Sequence, residues 1–311
     1  MFKLRTIHHP LLSGWLVGCA LLASCLALSA CQPEAQAAVA ASPVPEGQIA
    51  PVERSTLVAF TPTPQVTATP AGCRETRGKI EDHEIQSDLL TYPVHFKVYL
   101  PPCYDSRVQP GYPVLYLLHG QSFNEYQWDR LGADEIADEM ITAGEAPPFL
   151  IVMPREPYYL QEPSESTFET LVMDVLIPWV DQNYATCPSH LCRAIGGLSR
   201  GSGWAMRLAL KHYYTFSSVA AVSFAPLTGD SVSLIYRLRE IPENFRPRVY
   251  MDAGDLDTML KPAREFEDIM NTQRFPHEWR IVPGMHNEDT WQKHMGEYMR
   301  WFVQGWQSLK R

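Results

Sequence analysis

Ala194-Ile195-Gly196-Gly197-Leu198-Ser199-Arg200-Gly201 is the stretch on which the reading of the fold turns. Arg193 to Gly197 reads as a short strand, and Trp204 to His212 follows with helical spacing. A strand that passes into a helix through Gly-x-Ser-x-Gly must turn sharply. Such a turn lifts the serine hydroxyl clear of the backbone and sets a helix N-terminus behind it. Small residues on either side let the chain crowd there. The motif points to Ser199 as a nucleophile; the plainer alternative is a glycine-rich turn with an incidental serine, and the flanking strand and helix weigh against it.

Outward from this turn the chain alternates strands with helices. Upstream, Val94–Leu100 alternates in hydropathy, while Pro113–Leu118 and Phe149–Met153 are unbroken apolar runs, as in strands covered on both faces. Helices are expected near Ala133–Ala143 and Phe168–Tyr184. Downstream come strands at Val219–Ser223, Arg248–Met251 and Glu278–Val282, with helices at Ala263–Met270 and Thr290–Trp306. This order predicts an α/β domain, a mostly parallel sheet with helices on both faces.

A serine hydroxyl needs a base to take its proton and a carboxylate to orient that base. Of the ten histidines, His286 lies in Pro283-Gly284-Met285-His286-Asn287, directly after the last strand. In the order nucleophile, acid, base, that loop is where the base belongs. The acid is sought between them, in Asp252-Ala253-Gly254-Asp255-Leu256-Asp257. Asp252 reads as strand end. Asp257 is preferred and Asp255 is the runner-up; a calcium site or a solvated turn is the alternative for the whole loop. Two backbone N–H groups are expected to receive a developing oxyanion: that of Arg200, after the nucleophile, and that of Gln121, in the loop His119-Gly120-Gln121-Ser122 after an early strand. His119 itself is expected to hold that loop or to line the pocket. Trp128, Trp204 and Trp291, with Tyr158 and Tyr159, are further pocket candidates, although aromatic residues more often fill cores.

The N-terminal part has a different composition. Lys3 and Arg5 precede an apolar run from Leu11 to Leu28, which reads as a secretory signal over residues 1–30. Leu28-Ser29-Ala30-Cys31 resembles the bacterial lipoprotein processing box, which implies cleavage before Cys31, a lipid on Cys31 and a membrane tether on the outer face of the cell. Residues 31–72 are rich in Pro, Ala and Thr and are expected to form an extended spacer. The globular domain is expected over 73–311. Cys73, Cys103, Cys187 and Cys192 then remain, and the pairings Cys73–Cys103 and Cys187–Cys192 are preferred, the second because it brackets a short turn. No zinc-type cysteine spacing and no nucleotide motif is present, so no metal or cofactor is implied. The formal charge of −9 becomes −11 once Lys3 and Arg5 leave, which argues against a nucleic-acid partner. Nothing in the sequence speaks to oligomeric state.

Five stretches together carry a family resemblance: Val98-Tyr99-Leu100-Pro101-Pro102 before Tyr104; Leu117-Leu118-His119-Gly120; Ile151-Val152-Met153-Pro154; Ile195 to Gly201; and Gly284-Met285-His286 with Trp291. With them, residues 80–308 resemble the esterase D-like esterases of the α/β-hydrolase superfamily, which include feruloyl and acetylxylan esterases, S-formylglutathione hydrolases, enterochelin esterases and mycolyltransferases. The resemblance implies an α/β-hydrolase fold, a Ser-His-Asp triad and a small-molecule or carbohydrate ester as substrate. The family's Gly-x-x-Asp stretch falls on Gly254-Asp255-Leu256-Asp257 and supports Asp257. Ser202 departs from the pattern, standing where these proteins often repeat glycine, and Phe224-Ala225-Pro226-Leu227 matches no substrate pattern. An acyltransferase of the mycolyltransferase type and a catalytically silent carbohydrate-binding relative are the rival expectations.

Overall fold

Alternating and unbroken apolar segments assemble into one eight-stranded sheet in the computed structural model, which describes residues 74–307. The strands are β1 (Lys79–Ile85), β2 (Val94–Leu100), β3 (Val114–Leu118), β4 (Leu150–Pro154), β5 (Arg193–Leu198), β6 (Ser218–Val222), β7 (Arg248–Gly254) and β8 (Glu278–Val282). Their order across the sheet is β1-β2-β4-β3-β5-β6-β7-β8. The pairs β1–β2 and β2–β4 are antiparallel and the other five are parallel. The expected signal segment over residues 1–30, Cys31, the expected spacer over 31–72 and Cys73, with the expected pairing Cys73–Cys103, lie outside the described residues.

The helices are α1 (Gln127–Arg130), α2 (Ala133–Thr142), α3 (Phe168–Thr170), α4 (Ile177–Asn183), α5 (Arg200–Lys211), α6 (Asp230–Glu240), α7 (Leu260–Thr272) and α8 (Glu288–Gln304). The single helix expected over Phe168–Tyr184 is α3 and α4 joined through a wide turn at Leu171–Leu176. Pro178 sits at the start of α4 with no N–H for an ordinary helical bond. Helix α5 begins at Arg200, four residues earlier than its apolar spacing indicates.

Side chains alternate across the sheet, so a strand covered on both faces is apolar throughout. In β3, Val114, Tyr116 and Leu118 join the core under α3 to α7, while Leu115 and Leu117 join the one under α1, α2 and α8. Cys187 and Cys192 lie at disulfide distance, as predicted, across the turn that feeds β5.

The sheet order also locates the site. From β3 the chain crosses to β4 on one side, then returns to β5 on the other side of β3. The loops after β3 and β5 therefore part and leave a crevice at their carboxyl ends, the usual place for a ligand in such sheets.

Candidate active site

Ser199 sits in this crevice with φ 52° and ψ −120°, a backbone conformation that a side chain rarely adopts. Packing around it enforces the turn. A Cβ on Gly197 would lie 2.1 Å from the Gly201 carbonyl oxygen, and one on Gly201 would lie 2.3 Å from the Leu118 carbonyl oxygen. The two glycines of Gly-x-Ser-x-Gly are thus required by close approach, β5 to α5 and α5 to β3. The Ser199 N–H donates to the Val222 carbonyl at 3.0 Å. At Ser202, where glycine was expected, the hydroxyl donates to the Ser199 carbonyl and accepts from the Ala225 N–H at 3.1 Å. It ties the turn to the loop after β6, which walls the cleft.

His286 Nε2 lies 2.7 Å from Ser199 Oγ, and His286 Nδ1 lies 2.8 Å and 2.9 Å from the two Asp257 carboxylate oxygens. The preferred acid and the base therefore meet. Asp255 does not reach the imidazole. Its carboxylate accepts from the Gly284 N–H at 2.9 Å and so holds the loop that carries His286. Asp257 is almost fully buried. Burial pushes its carboxyl up, but the hydrogen bonds from His286 and the Met259 N–H outweigh this and hold it below the usual carboxylate range. A buried anion that stays ionised is the partner an imidazolium needs.

Asp252 belongs to β7 and is fully buried away from the imidazole; it accepts from the Ser223 N–H at 2.7 Å and the Tyr250 hydroxyl at 3.0 Å. Burial pushes its carboxyl up to about 6, against the pull of those two donors. A carboxyl raised in the folded state favours folding in its protonated form, so this contribution is complete below its unfolded value near 4 and is lost as pH rises through about 6. Asp252→Asn removes the titration. Its stability relative to wild type should therefore rise by up to ~3 kcal/mol between pH 3.5 and pH 7.5, as urea unfolding at both values would measure. A difference that does not change with pH contradicts it.

The loop after β3 is set by His119. Its Nε2 accepts from the Glu156 N–H at 2.8 Å, so Nδ1 carries the proton and donates to the Gly120 carbonyl at 2.8 Å. Burial lowers the imidazole's pKa and keeps it neutral. In a trans peptide the C=O and the following N–H point opposite ways. Pinning the Gly120 carbonyl thus turns the Gln121 N–H away from His119, and Gln121 lines the cleft. Among the described residues neither the Gln121 nor the Arg200 N–H has an intramolecular acceptor. The Arg200 side chain is held by a bidentate ion pair to Glu156, which is 3% exposed and also accepts from the Trp204 indole N–H at 3.0 Å.

A cleft of ≈ 860 Å³ opens over Ser199, with Gln121, Tyr159, Leu227 and Trp291 among its walls. For three of the four expected pocket residues the pocket reading is corrected, His119 instead meeting its other expectation of holding the loop. His119, Trp128 and Trp204 do not line it, because each faces inward: His119 grips its own loop, the Trp128 indole N–H donates to the Leu118 carbonyl at 3.0 Å, and Trp204 donates to Glu156. Trp291 does line it; its indole N–H donates to Ser223 Oγ at 2.7 Å and its ring stands edge-on to His286. Of the two tyrosines, Tyr159 lines the cleft and Tyr158 does not. Glu156, Gln127 and Ser223 were not anticipated, since no local spacing marks them. Among the described residues no group of three His, Cys, Asp or Glu side chains is arranged to hold a metal.

Residues 87–302 match the family model Esterase, described as "Putative esterase". The chain is 31% identical over 259 residues to the Mycobacterium tuberculosis protein named Esterase Rv1288, covering 66% of this chain and 55% of that one. It is 38% identical over 117 residues to an endo-1,4-beta-xylanase/feruloyl esterase of Xylanibacter ruminicola, covering 33% of this chain and 16% of the relative. It thus spans about half, or less, of the length of these relatives. A solved ferulic acid esterase superposes with a TM-score of 0.65 at 25% identity, covering 74% of this chain and 99% of that one.

Proposed function

The chain belongs to the Esterase family and has the α/β-hydrolase fold, and from that premise we propose that it hydrolyses carboxylic esters through Ser199, His286 and Asp257. The observation that carries this reading is the continuous hydrogen-bonded chain from the Asp257 carboxylate through both nitrogens of His286 to Ser199 Oγ, ending in an open cleft. Ser199 Oγ attacks the acyl carbon while His286 Nε2 takes its proton, and Asp257 holds Nδ1–H and stabilises the imidazolium. The Gln121 and Arg200 N–H groups receive the oxyanion. His286 returns the proton to the departing alcohol. A water, deprotonated by His286, then attacks the acyl-enzyme; the bond to Ser199 Oγ breaks, His286 returns the proton to that oxygen, and the acid leaves.

We place the substrate among feruloyl, acetyl or other acyl esters of carbohydrates. The relatives named for feruloyl ester hydrolysis support this, as does the cleft, which combines aromatic walls with polar ones. Its unpaired charged lining is acidic: Glu162 and Asp289 face it, while Glu288 is paired with Arg130 and Arg200 with Glu156. Neutral esters should be favoured over anionic ones. The Cys187–Cys192 pair and the Cys31 processing box support an exported, lipid-anchored protein.

The test is labelling with a fluorophosphonate probe, followed by a panel of neutral and carboxylate-bearing esters of matched acyl group. Labelling is expected, with acid rather than transferred acyl product in the presence of sugars. kcat/KM should be at least ~5-fold lower for the anionic esters at low salt, with the gap narrowing as salt is added. An unlabelled protein that releases no acid sinks the reading.

A further inference from the structure

Gln127 is fully buried, yet both ends of its side-chain amide meet a loop of the cleft. Its Oε1 accepts from the Gly120 N–H at 2.7 Å, and its Nε2 donates to Glu288 Oε1 at 3.1 Å. Gly120 immediately precedes Gln121. Glu288 opens α8, two residues after His286, and Arg130 at the other end of α1 also donates to Glu288 Oε1. The backbone around α1 is itself closed, with the Gln127 N–H on the Asn124 carbonyl at 3.0 Å and the Phe123 N–H on the Gly120 carbonyl at 3.2 Å.

We infer that Gln127 is a positioning residue that sets the oxyanion loop against the loop of the base, so that Gln121 N–H and His286 keep one spacing over Ser199. The inference rests on the hydrolytic reading above. Its logic lies in donors and acceptors. His119 pins the carbonyl of Gly120 and Gln127 pins the N–H of the same residue, so both peptide planes that flank Gly120 are held. The plane that carries the Gln121 N–H is anchored at its carbonyl; without Gln127 the plane before it is free and the loop can shift as a whole against His286, and an oxyanion donor is useful only at the right distance from a developing charge. The other end of the amide needs a donor at residue 127 and an acceptor at residue 288. An amide at 127 can accept from one loop and donate to the other, which a carboxylate facing Glu288 cannot.

That requirement makes an exchange possible. Gln127→Glu keeps the size and the acceptor for Gly120 but sets a carboxylate against Glu288. Adding Glu288→Gln to it restores a donor–acceptor pair with the roles reversed. Gln127→Leu removes both bonds at similar volume. The active-site concentration of each protein is titrated with the fluorophosphonate probe, so that kcat refers to competent sites and losses of folded protein cancel. Gln127→Leu and Gln127→Glu should each lower kcat per site ~10- to 100-fold with KM within ~3-fold, a fraction of what deleting an oxyanion donor outright costs. The double variant Gln127→Glu with Glu288→Gln should return to within ~5-fold of wild type.

A purely structural role would lower the thermal midpoint and the number of competent sites but leave kcat per site alone. Unchanged kcat per site in Gln127→Leu, or a double variant no faster than Gln127→Glu, overturns the inference while the hydrolytic reading stands. Wild-type protein that neither labels nor hydrolyses overturns that reading, and this inference with it.

Discussion

Ser199→Ala is expected to lower kcat for ester hydrolysis by about 10⁵- to 10⁶-fold, the scale seen when a serine hydrolase loses its nucleophile. That corresponds to roughly 7–8 kcal/mol of barrier. The size follows from geometry. His286 Nε2 accepts from one hydroxyl, that of Ser199 at 2.7 Å, and no other hydroxyl lies within its hydrogen-bonding reach among the described residues. Without that oxygen no acyl-enzyme forms, and only binding and the two backbone donors remain to assist water. The measurement is steady-state hydrolysis beside probe labelling, with a thermal melt to show that the variant is folded. A Ser199→Ala protein within tenfold of wild type, or one that still labels, assigns the chemistry elsewhere.

Asp257→Asn is expected to cost about 10⁴-fold in kcat, because an amide in that place reverses the histidine tautomer. The Met259 N–H donates to Asp257 Oδ1 at 2.6 Å, so an asparagine keeps its oxygen there and turns its NH2 toward His286 Nδ1. The imidazole must then carry its proton on Nε2 and can no longer accept from Ser199. Asp255→Asn is the control from the same loop. Its one bond to the Gly284 N–H can be kept by the amide oxygen, so it should stay within ~3-fold of wild type. The reverse ranking of the two variants, measured on the same ester, would falsify the choice of acid.

Much of this arrangement could be read along the chain, because parallel strands covered on both faces leave unbroken apolar runs and Gly-x-Ser-x-Gly has few other uses between a strand and a helix. Strand β1 escaped the reading. Lys79-Ile80-Glu81-Asp82-His83-Glu84-Ile85 lies at the edge of the sheet, half solvated, and its alternation is carried by charged residues as much as by Ile80 and Ile85. Helix α6 escaped because Asp230–Glu240 buries little beyond Leu234 and Leu238. Trp128 and Trp204 fill the core instead of the pocket for a different reason. Proximity to a motif in sequence does not tell which way a ring points, and a buried indole N–H takes whichever acceptor the fold brings to it, here the Leu118 carbonyl and Glu156. Gln127 and Glu156 meet their partners across 161 and 44 residues, a separation that no local pattern records.

The two border strands have a further consequence. In β1, Lys79, Glu81, Asp82 and Glu84 are charged, and in β8 Glu278 and Arg280 are. An open sheet edge is a row of backbone donors and acceptors that invites a strand from a neighbouring molecule, and ionised side chains along the edge are the common defence. Here both rims of an otherwise greasy eight-stranded sheet carry that defence. Copies crowded together at high local density can collide edge to edge without zipping into aggregates, and the crevice between β3 and β5, far from either rim, is undisturbed by such collisions.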